Sequence, residues 1–171
     1  VAATAFLSQR AVPGADDPAP DANGLELSIS HERADGSSVS PENVEQGEDF
    51  RVVATISNVS GRDLPNVALV QIFPGGWEIR NEAIEGAETN PVEQDDRDDW
   101  RRNIVPRRVE IRDDRSLHYL DLPQGSSAKV VVGIRAAYAG TYLCPGAHAE
   151  ALYDATFQAT EPTGRCVVSP R

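Results

Sequence analysis

No stretch of this 171-residue sequence approaches the roughly 18 uninterrupted apolar residues of a membrane-spanning helix, because runs such as Val130-Val131-Val132-Gly133-Ile134 are soon broken by charge. A membrane-spanning segment is not expected. Val1 to Leu7 is apolar but is not expected to be a signal peptide, because no basic stretch precedes it and Arg10, Pro13 and Asp16 follow too soon. Lysine occurs once, at Lys129, and 16 Lys and Arg residues against 27 Asp and Glu leave a net charge of −11. With no basic stripe to neutralise phosphates, nucleic acid is not an expected partner. Arg interleaved with Asp suits a solvated surface. It suits equally a high-GC or salt-adapted genome.

Catalytic signatures are also missing. There is no Gly-x-Ser-x-Gly elbow, P-loop or His-Glu-x-x-His, and none of His31, His118 and His148 sits in a recognisable nucleophile-and-base context. His118 has the opposite parity to Leu117 and Tyr119 and is expected to face solvent, whereas His31 shares the parity of Leu25, Leu27 and Ile29 and is expected at the rim of a core. No enzyme activity and no cofactor are expected. The group Asp95, Asp96, Asp98 and Asp99 offers carboxylates for calcium, but lacks the loop glycine and distal glutamate, and Arg97, Arg101 and Arg102 would repel the ion. A solvated charged loop is the reading, and no metal site.

What is present is a foldable composition, 40% apolar and 25% charged, in a length that suits one all-β domain. Residues 8 to 24, dense in Pro, Gly, Asp and Ala, hold neither secondary-structure period and read as a linker after the short apolar run Val1 to Leu7. Residues 1–23 are thus expected to be the end of a preceding domain plus linker, and 24–171 the domain proper. The start at Val and the orphan apolar run are expected of an excised or processed chain. Leu25, Leu27 and Ile29 alternate with polar residues, as do Phe50, Val52, Ala54 and Ile56, while Asn66 to Phe73 is a more continuous run ended by Pro74-Gly75-Gly76. Residues 80 to 108 interrupt the pattern with a long irregular excursion. Periodicity resumes with Val109, Ile111, Leu117 and Tyr119, then Val130, Val132, Ile134 and Ala136, then Thr141 to Leu143, Ala149 to Tyr153 and Arg165 to Val168. Seven to eight short strands with no amphipathic helix predict an all-β, antiparallel β-sandwich.

Two local features add to this. In Arg112-Asp113-Asp114-Arg115 adjacent carboxylates would point to opposite faces of a strand, each available to one Arg, which reads as structural bracing. Cys144 and Cys166 belong to no Cys-x-x-Cys pair and no zinc spacing. They read either as a disulfide formed in an exporting compartment or as two buried, inert thiols. If paired, closing a loop of about 23 residues would stabilise the fold by roughly 3 kcal/mol.

Three segments in order carry a resemblance: Val67-Ala68-Leu69-Val70-Gln71-Ile72-Phe73-Pro74-Gly75-Gly76-Trp77-Glu78-Ile79, Glu110-Ile111-Arg112-Asp113-Asp114-Arg115, and Ala139-Gly140-Thr141-Tyr142 with Ala149-Glu150-Ala151-Leu152-Tyr153. Together they resemble the C-terminal macroglobulin-like domain of bacterial α2-macroglobulins, over roughly residues 24 to 168. The resemblance implies one piece of a large periplasmic or exported protease trap, with membrane anchoring through the parent left open. In such proteins a protease cuts a bait region and an internal Cys-Gln thioester is released to bond to it. That chemistry needs Cys-x-Glu-Gln, whereas Cys144 is followed by Pro145-Gly146-Ala147 and Cys166 by Val167-Val168-Ser169. The reactive bond is therefore not on this chain, and the implied partners are the thioester domain of the same parent and, indirectly, proteases.

In the family an apolar residue followed by Tyr, in a Glu-x-Met-Tyr segment, resembles a cover that keeps water and amines from the thioester. The matching positions are Glu150, Ala151, Leu152 and Tyr153, with Leu152 a swap of similar volume for Met. If the cover exists, Leu152 and Tyr153 should lie exposed together. A different class of function, a free-standing adhesive or ligand-binding sandwich using the 80 to 108 excursion, would instead bury that pair and line a groove with Trp77 and Trp100.

Overall fold

The computed structural model describes residues 22–80 and 104–171. The run Val1 to Leu7, most of the linker, most of the 80 to 108 excursion, the Asp95 to Asp99 group and Trp100 lie outside the described residues. Thirteen strands are described: β1 (Ala22–Asn23), β2 (Leu25–Glu32), β3 (Val44–Glu45), β4 (Asp49–Asn58), β5 (Leu64–Ile72), β6 (Trp77–Arg80), β7 (Arg108–Arg112), β8 (Arg115–Leu122), β9 (Ser127–Ala136), β10 (Gly140–Cys144), β11 (Ala147–Ala151), β12 (Gln158–Thr160) and β13 (Gly164–Ser169). The architecture is the expected all-β sandwich. A six-stranded sheet in the order β1-β12-β11-β5-β8-β7 stands against a four-stranded sheet, β2-β4-β9-β6. A third sheet, β10-β13-β3, adds Val44, Cys166 and Val168 to the same core. Its pairing is parallel between β13 and β3, through Val168↔Val44 and Ser169↔Glu45.

The core follows the period-2 pattern. Phe50, Val52, Ala54 and Ile56 of β4 and Ala128, Val130, Val132, Ile134 and Ala136 of β9 are all buried. Opposite them lie Val67 and Leu69 of β5, Leu120 and Leu122 of β8, and Ala147, Ala149 and Ala151 of β11. The small alanines of β11 leave room for the larger side chains of the facing sheet. The strands that periodicity misses, β1, β3, β6 and β12, have two to four residues, too few for an alternation to register.

Two expectations are corrected. His118 does not face solvent: it is 5% exposed and shares the inner face with Ser116, Leu120 and Leu122, while Leu117 and Tyr119 are only half-buried on the outer face. The parity was carried from Val109 and Ile111 through to Leu117 and Tyr119, but the Asp113-Asp114 turn lies between them and reverses it, so Val109 and Ile111 stand in register with His118 and Ser116 instead. The Arg112-Asp113-Asp114-Arg115 segment is not a strand interior either. Asp113 and Asp114 form the two-residue turn between β7 and β8, a position where exposed short polar residues are favoured. Arg115 holds Asp114 in a bidentate pair at 2.8 and 2.7 Å, whereas Arg112 pairs with Glu110 at 3.8 Å. Burial is not involved, so the bracing is weak.

Candidate functional site

Strand β11 carries the segment matched to the family cover. Its register on β5 runs Ala147↔Gln71, Ala149↔Leu69 and Ala151↔Val67, which fixes the alanines inward and His148 and Glu150 outward. The strand stops at Ala151, so Leu152 and Tyr153 do not continue the alternation. Both project from the following turn, 48% and 83% exposed. Two adjacent large side chains left in water at one turn are unusual for a lone domain.

The turn is held from several directions. The Leu152 amide donates to the Asn66 carbonyl at 3.0 Å, the Asp154 amide to the Ala151 carbonyl at 3.1 Å, the Phe157 amide to the Asp154 carbonyl at 3.0 Å, and the Ala151 amide to the Phe157 carbonyl at 3.0 Å. Asn66 reaches this position because β5 bulges between Leu64 and Val67, with Asn66 in the left-handed region at φ 54°, a conformation Asn tolerates. The Asp121 carboxylate accepts from the Asn66 amide at 2.9 Å. Below the turn, Arg62 donates to Asp154 at 2.5 Å and lies 4.2 Å over the Phe157 ring. Hydrogen bonding from Thr156, then from Arg62, holds the Asp154 carboxyl below the usual carboxylate range. Arg62 is itself placed by buried Asn58, whose side-chain amide donates to the carbonyls of Arg62 and Leu122 at 2.8 Å each. Sequence reading missed Asn58, Arg62 and Asn66, because their roles depend on pairing between distant segments, and Phe157, whose role depends on how the local turn closes.

The segments that carried the resemblance meet in space. The Phe73 amide donates to the Asp114 carbonyl at 2.9 Å, which ties the end of β5 to the β7–β8 turn. The amides of Ala137 and Tyr138 donate to the Gly76 carbonyl at 2.9 and 3.1 Å. The Tyr142 ring covers Gly76, where a Cβ would lie 2.2 Å from the ring, and its hydroxyl donates to the carbonyls of Tyr138 and Ala139 at 3.1 and 3.3 Å. Only glycine permits that approach. The motif residues thus form a structural junction rather than a reactive site. Cys144 and Cys166 are joined by a disulfide, with Cα atoms 5.2 Å apart, across the pair β10 and β13. Among the described residues no cluster of His, Cys, Asp and Glu is placed to hold a metal ion, and no helix is long and apolar enough to cross a membrane.

Comparison with known proteins agrees with this geometry. The sequence profile of the bacterial alpha-2-macroglobulin MG10 domain matches residues 24–155. No curated protein matches. A crystal structure of Salmonella alpha-2-macroglobulin reacted with methylamine superposes with a TM-score of 0.75 at 26% identity, over 91% of this chain and 10% of that one. Native alpha-2-macroglobulin from Escherichia coli, from domain MG7 to the C-terminus, superposes with a TM-score of 0.75 at 23% identity, over 90% of this chain and 24% of that one. The trypsin-activated E. coli protein gives 0.74 at 23%, over 90% and 11%. This sequence therefore spans between a tenth and a quarter of the chains it is similar to. It belongs to the bacterial alpha-2-macroglobulin MG10 domain family.

Proposed function

We propose that this chain is the non-catalytic C-terminal module of an exported, periplasmic protease-trapping macroglobulin. In this reading it packs on the thioester domain of the same parent and shields the thioester with Leu152 and Tyr153. The observation that carries the reading is the exposure of that pair on a braced turn. Burying the exposed parts of both side chains would contribute about 3 kcal/mol before the costs of docking. Such a plug excludes water and lowers the local dielectric around an acyl-sulfur bond. The Cys144–Cys166 disulfide agrees with an oxidising compartment. The adhesive or ligand-binding alternative expected Leu152 and Tyr153 to be buried, and both are exposed.

The reading is tested in the parent reading frame. A Cys-x-Glu-Gln motif should lie upstream, and Tyr153→Gly in that parent should speed the loss of amine-reactive thioester, followed by methylamine incorporation. No such motif, or a decay rate unchanged by the substitution, would remove the shielding role.

A further inference from the structure

Strand β7 closes one side of the six-stranded sheet, and its far edge carries no other strand among the described residues. It lies three strands from β11, away from the Leu152–Tyr153 turn. The two-residue turn at Asp113-Asp114 makes Arg112 and Arg115 the closing hydrogen-bonded pair of the hairpin. By alternation the peptide groups of Arg108, Glu110 and Arg112 face β8, and those of Val109 and Ile111 face outward. Neither Val109 nor Ile111 has a hydrogen-bond partner on that side among the described residues. Their N–H and C=O groups form a row at strand spacing, which is a template for another strand.

The side chains select the strand. On the inner face Val109 and Ile111 are 47% and 43% exposed, although they stand in register with buried His118 and Ser116. On the outer face the order along the edge is Arg108, Glu110, Arg112. Glu110 is shared by both guanidiniums, 2.6 Å from Arg108 and 3.8 Å from Arg112, and the two Arg side chains remain 70% and 68% exposed. The Arg108 guanidinium also rests over the Tyr119 ring at 5.8 Å. One carboxylate cannot neutralise two guanidiniums, so an anion directly across the edge from either Arg is favoured.

A second copy of the chain fits badly. Outward peptide groups pair only with outward ones, so an antiparallel copy can centre on Val109, Glu110 or Ile111. Centred on Glu110, Val109 meets Ile111, but Arg108 faces Arg112 and Glu110 faces its own copy. Centred on Val109, Arg108 faces Glu110 but Ile111 faces Arg107. Centred on Ile111, Glu110 faces Arg112 but Val109 faces Asp113. No antiparallel register satisfies both faces, and two chains of net charge −11 repel one another besides. We propose that the free edge of β7 receives an extended strand of a protein partner whose side chains run acidic, apolar, basic, apolar, acidic. Carboxylates then meet Arg108 and Arg112, a cation meets Glu110, and apolar side chains cover Val109 and Ile111. The proposal does not depend on the shielding role.

The capped peptide Thr-Glu-Val-Lys-Val-Glu-Thr is the probe, followed through the amides of the ¹⁵N-labelled chain. The Val109 and Ile111 resonances should shift and saturate, and their amides should exchange fast with solvent in the free chain and be protected in the bound one. The charge-reversed peptide Thr-Lys-Val-Glu-Val-Lys-Thr, which repeats the charge order of β7 itself, should bind at least about tenfold more weakly, a difference of about 1.4 kcal/mol. Arg108→Glu, Glu110→Lys and Arg112→Glu together should reverse that preference. Val109→Pro removes an outward N–H and leaves the bonds to β8 in place, so it should fold and lose the probe. Absence of a saturable shift, or equal affinity for the two peptides, would overturn the proposal. Slow exchange of Val109 and Ile111 in the dilute free chain would mean that the chain covers its own edge. Protection that grows with chain concentration alone would assign the edge to a second copy, and either result refutes the proposal.

Discussion

His118 offers a sharp test of the inner face. Burial takes its pKa from the ordinary 6.5 down to about 4, because a 5%-exposed imidazolium loses its hydration. Its Nδ1 has no partner among the described residues, and its register neighbours are Leu69 and Val109, neither of which compensates a charge. The unfolded chain therefore takes up a proton as pH falls through about 6.5, while the folded chain resists until about 4. The stability His118 contributes is present above about pH 6.5 and is lost towards about pH 4, to a total of about 3 kcal/mol. Between about pH 7.5 and about pH 5 the loss should be about 2 kcal/mol. His31, depressed by burial, and Asp35 and Asp154, depressed by hydrogen bonds, push in the same direction, whereas Glu161, raised by burial, opposes them. Urea unfolding of the native chain and of His118→Leu at both pH values subtracts these common contributions. The native chain should lose about 2 kcal/mol more than the variant. Parallel losses would show that His118 is hydrated when folded and that the inner face is wrongly assigned.

Gly76→Ala should push the Tyr142 ring off the turn that it covers and break its hydroxyl bonds. Overpacking of this kind costs about 1–3 kcal/mol, read as a lower unfolding midpoint with an unchanged β-type circular dichroism spectrum; an unchanged midpoint would contradict the packing. Replacing Cys144 and Cys166 together by Ser should lower stability by about 3 kcal/mol on the chain-entropy account, and equal denaturation curves would count against the cross-link's role.

The sandwich was legible because β4 and β9 each alternate for ten residues and the signal accumulates with length. The shortest strands carried no such signal. His118 was misplaced because parity holds only within one strand, and the two-residue turn at Asp113-Asp114 reverses it, pairing Val109 with His118 and Ile111 with Ser116. The Leu152–Tyr153 pair was legible from the resemblance, but its geometry was not. A strand continuing through it would have put one residue in and one out, whereas β11 ends at Ala151 and leaves both outside. The turn that follows is braced by Asn66 and Arg62 from a segment distant in sequence and by Phe157 within its own loop. The buried amide of Gln71, without a hydrogen-bond partner among the described residues, was hidden too, since a polar residue in an apolar run gives no hint of whether a partner faces it.

The central proposal is that Leu152 and Tyr153 touch the domain bearing the thioester. A photo-crosslinking amino acid placed at Tyr153 in the full-length parent reads this contact, with the product mapped by mass spectrometry. We expect the crosslink to fall within the domain carrying Cys-x-Glu-Gln and to disappear after methylamine treatment if the rearrangement separates the two. A crosslink to any other domain, or none at all in the untreated parent, would contradict the proposed cover.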